Sequence, residues 1–125
     1  MKHLLDVNML LAAIWCDHPH YPTADAWLAG KQIVVCPISE LGFLRISTNQ
    51  RAYAATMENA RTLLEKFMTE SKASRIPADL HAMDSRPENS EAVTDQYLAS
   101  LAEKHGMKLA TFDTGIKHAA VVVVS

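Results

Sequence analysis

Little in this sequence breaks or stiffens a chain. It has four glycines and five prolines among 125 residues. That is too few for a low-complexity or fibrous protein. Cysteine is as scarce. Cys16 and Cys36 allow at most one bridge, so no disulfide framework is expected, and a reducing, cytoplasmic setting is the simpler reading. Long apolar runs are missing. The cleanest, Met9 to Cys16, falls far short of the roughly 20 residues a membrane span needs, so no membrane partner is expected. Lys2, Leu4 and Leu5 ahead of it give a loose likeness to a secretion signal. Asp6 and Asn8 interrupt that pattern, and His18, Pro19 and His20 stand where a small-residue cleavage site belongs. The segment reads as folded structure. One-signed charge is also lacking. Lys and Arg number 12 against 14 Asp and Glu, a net charge of -2, which supplies no global field for nucleic acid. A polybasic binder is excluded. An enzyme meeting nucleic acid through a local site is not.

What is present suits a globular domain. Hydrophobic residues make up 49% and charged residues 21%, ordinary values for such a protein. The length points to one domain, residues 1–125, since domains usually run ~100–200 residues. The elements alternate. Lys2 to Asp6 reads as a strand, and Asn8 can cap a helix running to about Trp15. Thr23 can cap a short helix that Gly30 ends. Ile33 to Cys36 is a buried-type strand closed by Pro37, and Ser39 can cap a helix with Leu41, Leu44 and Arg45. Met57, Ala60, Leu64 and Phe67 recur at helical spacing. Arg75 to Pro77 suggests a brief strand. Thr94 can cap a helix that Gly106 stops, and strands follow over Lys108 to Phe112 and Val121 to Val124. Alternation of this kind predicts an α/β fold with a mostly parallel central sheet flanked by helices.

Four acids stand at telling places. Asp6 and Asp113 follow predicted strands, Glu40 falls in the first turn after another, and Asp95 opens a helix. Ligands of open parallel sheets bind at the carboxyl ends of the strands, so these acids are expected to share one rim. Each alone reads more simply as a cap or turn residue. Together they lack a shared structural reason. Like charges disfavour one another's ionisation, and a cation relieves that cost. All-oxygen donors suit Mg²⁺ or Mn²⁺, which keep several waters and bind a few carboxylates plus substrate phosphates. Metal-assisted phosphodiester hydrolysis is the chemistry such a rim fits.

Four segments carry a resemblance. They are Leu4 to Leu11, Cys36 to Ile46, Val93 to Leu98 and Lys108 to Asp113. In that order, in a chain of this length, the sequence resembles PIN-domain ribonucleases, specifically the VapC-type toxins of bacterial toxin–antitoxin pairs. The resemblance implies a PIN-like nuclease domain that cuts RNA with Mg²⁺ or Mn²⁺, using Asp6, Glu40, Asp95 and Asp113 as catalytic and metal-binding acids. Asp6 and Asp95 are then the surest direct ligands, and Asp113 acts mainly through water. Asn8, Ser39 and Thr111 match polar positions that line or support the pocket. Arg45, on the same helix as Glu40, is a candidate for an RNA phosphate or a pocket acid. A metal-activated water attacking phosphorus in line would leave a 5′-phosphate and a 3′-hydroxyl.

The resemblance also implies partners. These are an RNA substrate, a homodimeric copy, and a VapB-type antitoxin that places a basic side chain into the acidic pocket, with operator DNA reached only through that antitoxin. Two alternatives stand beside this reading. One is a catalytically silent protein-binding scaffold. The other is a receiver-type phosphoacceptor domain, which would need an acid next to Asp6 and a late lysine ending a strand. Cys16, Asp17, His18 and His20 form too small a group for a zinc site, and Trp15 and Trp27 sit at core spacings.

Overall fold

Alternation along each strand divides the apolar residues between two faces. The computed structural model describes residues 1–125 and forms five strands. These are β1 (Lys2–Leu5), β2 (Gln32–Val35), β3 (Ser74–Arg75), β4 (Lys108–Thr111) and β5 (Val121–Val123). All pair in parallel, in the order β3-β2-β1-β4-β5. Leu5, Ile33, Val35 and Ala110 point to one face, and Leu4, Val34 and Leu109 to the other. A sheet covered on both sides explains why its strands read as continuous apolar runs.

The first face is covered by four helices, α1 (Val7–Ile14), α2 (Tyr21–Leu28), α3 (Pro37–Ser47) and α4 (Met57–Glu70). The second is covered by α5 (Val93–Lys104), whose Leu98, Ala99, Leu101 and Ala102 are buried. The segment between β3 and α5 runs alongside it. Tyr97 donates to the Leu80 carbonyl at 2.8 Å, and Asp79 meets His105 at 2.8 Å. No helix is long and apolar enough to cross a membrane.

Several sequence expectations shift by a residue or more. The cap of α1 is Asp6, whose carboxylate accepts from the Met9 amide at 2.7 Å. Asn8 lies inside the first turn instead, exposed. Helix α2 starts at Tyr21, so Thr23 is internal, with Pro22 supplying the preset φ of a helix start. Helix α3 starts at Pro37 with Cys36 in the cap position, so Ser39 is a helical residue and not the cap. Thr94 is likewise inside α5. Asn89 caps the short 3₁₀ turn Ser90–Ala92 that leads into it. Met57, placed by its spacing on the apolar face with Ala60 and Leu64, is 51% exposed, while Met68 on the same helix is buried. The valine run pairs with β4, though at an open sheet edge. The amino-terminal segment is folded structure, as β1 and α1.

Candidate metal centre

Strand order creates the crevice. β1 and β4 are neighbours in the sheet although far apart in sequence, with His3 opposite Lys108 and Leu5 opposite Ala110. Connections leave β1 toward β2 and β4 toward β5, so the order reverses between them. Such a switch point opens a cleft at the carboxyl ends of the strands. Asp6 stands at the end of β1, and its amide donates to the Ala110 carbonyl at 3.3 Å. Thr111 ends β4, and Asp113 follows two residues later.

Asp6 is buried, only 3% exposed. Burial is the main cause that raises its pKa to about 6. The Thr111 hydroxyl and the Met9 amide favour its charged form, while the charges of Asp95 and Asp113 oppose it. Asp95 lies half-buried in the first turn of α5. Its pKa is also raised, by burial first and then by Asp113. Asp113 is exposed, and one carboxylate oxygen accepts from the Gly115 amide at 2.7 Å. Asp95 and Asp113 line a cleft of about 240 Å³ with Asn89, Gln96 and Gly115. Thr111 joins the two sides. Its hydroxyl favours the charged form of Asp6 and accepts from the Asp113 amide at 3.0 Å.

Glu40 behaves differently. It sits in the first turn of α3 and ion-pairs with Arg75, Nε to Oε2 at 3.4 Å. Ser39 beside it is fully buried and donates to the Leu5 carbonyl at 2.6 Å, which ties this turn to the end of β1. The fold therefore brings Asp6, Asp95 and Asp113 within reach of one another's charge, with Glu40 turned toward a basic partner. Asn8 is near by sequence but makes no side-chain hydrogen bond. Arg45 lies exposed in the last turn of α3, paired with no acid. Sequence reasoning missed Arg75 as a site neighbour. Its place rests on lateral pairing with Val35, which local spacing does not record.

As they stand, no three His, Cys, Asp or Glu side chains are close enough together to hold one ion. The donors that Asp6, Asp95 and Asp113 offer are all hard oxygens, the set that Mg²⁺ prefers. It lacks the nitrogen and sulfur donors of a dedicated zinc site. His20 stacks on Phe112, with ring centroids 4.7 Å apart. Trp15 packs on Tyr53 at 4.6 Å and donates to Ser47 at 2.9 Å, a structural setting.

Comparison with known proteins bears on the family and the fold. The PIN domain family profile matches residues 3–122. Ribonuclease VapC38 of Mycobacterium tuberculosis is 31% identical, over 90% of this chain and 86% of its own. Ribonuclease VapC44 of the same species is 33% identical, over 97% and 92%. In three dimensions the chain matches the crystal structure of VapBC2 from Rickettsia felis bound to a DNA fragment from their promoter. That match has a TM-score of 0.69, 16% identity and full coverage of both chains. The receiver-type alternative falls with these matches. The chain belongs to the PIN-domain family, among its VapC-type members.

Proposed function

We propose that this protein is a divalent-cation-dependent endoribonuclease and the toxin of a VapBC-type pair. Three carboxylates converging at the β1–β4 switch point support the assignment most directly. PIN-domain ribonucleases are in general divalent-metal dependent. Mg²⁺ or Mn²⁺ is the ion we assign, because every donor is a hard oxygen. When bound, such an ion neutralises charge on the phosphoryl oxygens and lowers the pKa of water.

The chain's own residues prepare the site. Asp6, Asp95 and Asp113 would hold the ion, with Glu40 at its flank. Thr111 orients Asp6 and steadies the turn that carries Asp113. Ser39 locks the Glu40 turn to β1. Asn8 is exposed beside the cap, where it can meet substrate. Arg45 is exposed in the last turn of α3, where it can meet an RNA phosphate.

The names of the relatives support RNA as substrate, and the Rickettsia complex supports a VapB-type antitoxin as partner. A basic antitoxin side chain suits this rim, since Arg can satisfy the same carboxylates. DNA contact would then belong to the antitoxin, and a homodimer is the expected state of the toxin. Two free cysteines, one of them exposed, fit a reducing cytoplasm.

The test is RNA cleavage in Mg²⁺ by wild type and Asp95→Asn, with the fold followed by circular dichroism. Cleavage should fall by about a hundredfold or more in the variant. It should cease for both proteins in EDTA, and the products should carry 5′-phosphates. A folded variant cutting at the wild-type rate would reject the carboxylate site. A wild-type protein that cuts no RNA but binds its antitoxin would favour a silent scaffold.

A further inference from the structure

Arg75 is the one basic side chain that contacts a candidate pocket acid. The other ion pairs join Lys66 to Glu70, and Lys104 and His105 to Asp79. Its place follows from strand register. Arg75 pairs with Val35 as the last residue of β3, and the next amide, Ile76, donates to the Val35 carbonyl at 3.1 Å. The chain leaving β2 turns directly into α3, whose first turn carries Glu40. Arg75 therefore stands at the carboxyl end of the sheet, on the acidic rim.

The contact is single and weakly held. Only Nε engages Glu40, at 3.4 Å, with side chains 57% and 22% exposed. Exposed pairs of this kind shift an equilibrium by no more than about fivefold. Both terminal amino groups of the guanidinium remain without a protein partner. That planar fork matches a phosphate in two-point geometry.

We propose that Arg75 is a positioning residue that couples cation binding to RNA binding through Glu40, an inference that rests on the nuclease reading above. With neither ligand bound, Arg75 neutralises Glu40. A divalent cation drawing on Glu40 frees the guanidinium for an RNA phosphate. A phosphate on Arg75 frees Glu40 for the cation. By linkage each ligand then favours the other.

The test uses the full chain stripped of metal, with Mn²⁺ binding followed by calorimetry. Arg75→Ala should bind Mn²⁺ about two- to fivefold more tightly than wild type. In Ca²⁺, its affinity for a cleavage-resistant 2′-O-methyl RNA should fall, and the salt slope should flatten by about one. Arg75→Lys should keep near-wild-type Mn²⁺ affinity yet lose RNA affinity, because it lacks the fork. In a Glu40→Gln background, Arg75→Ala should no longer change Mn²⁺ binding. Unchanged Mn²⁺ or RNA affinity in Arg75→Ala would overturn the proposal. So would a gain that survives Glu40→Gln, since Arg75 would then act as a general field. A wild-type chain that takes up no Mn²⁺ would sink the nuclease reading itself. Wild-type uptake with an indifferent Arg75 would sink only the coupling.

Discussion

At the scale of single residues, Asp6 meets two demands with one carboxylate. It caps α1 through the Met9 amide and faces the charges of Asp95 and Asp113. Its folded pKa, about 6, lies above the ordinary 3.8. Between those values the native state keeps a proton that the unfolded chain has lost, so stability falls as pH rises through that window. The deficit at neutral pH is about 3 kcal/mol. Asp6→Asn removes the charge and keeps an oxygen able to cap. In urea unfolding without divalent cations, that variant should be more stable at pH 7.5 by up to about 3 kcal/mol. It should match wild type near pH 4. A less stable variant at pH 7.5 would mean that the cap depends on the carboxylate more than burial opposes it. The positions of the four acids were legible in the sequence because strand ends are bounded by sharp changes in polarity. Their partners were not. Ser39 and Thr94 have side chains that suit a cap, but Pro37 starts one helix earlier and Asn89 caps the turn leading into the other. Arg75 has meaning only through lateral pairing with Val35, a contact across forty positions that no local spacing records.

At the scale of elements, the site depends on how closely α1 and α3 approach. A Cβ added at Gly42 would overlap the Val7 side chain. Val7 follows Asp6 directly, and Gly42 lies two residues after Glu40, so this contact sets the spacing between both acids. Gly42→Ala should cost about 1–3 kcal/mol through overpacking, read as a lower melting temperature. Val7→Ala in the same chain should restore part of the loss by making room. Failure of that rescue would place the strain elsewhere. The long strands and α4 were legible because burial imposes clear periods on them. β3 was only dimly so, since two exposed residues at a sheet edge carry no period. The inward face of α4 was misjudged at its first residue, where Met57 is half exposed.

At the scale of the whole molecule, stability is graded from the middle of the sheet outward. β1 and β4 are buried on both faces, while β3 is short, exposed and paired on one side. Amide exchange should therefore be slowest at Leu4, Leu5, Leu109 and Ala110, and fastest among strand residues at Ser74 and Arg75. Equal protection across all five strands would contradict that gradient. The near-neutral net charge also takes on a different sense, because acids gathered on one rim make the local field unlike the global one. The pairing of β1 with β4 has a consequence for how such a protein is made. Asp6 emerges from the ribosome early, yet Asp95 follows about ninety residues later, and β4 and Asp113 more than a hundred. Contacts this distant in sequence also form late in folding. A nascent chain thus carries no assembled cutting centre while it is still being translated, and the cell that makes it meets a harmful activity only as a finished product, when a neutralising partner can already be at hand.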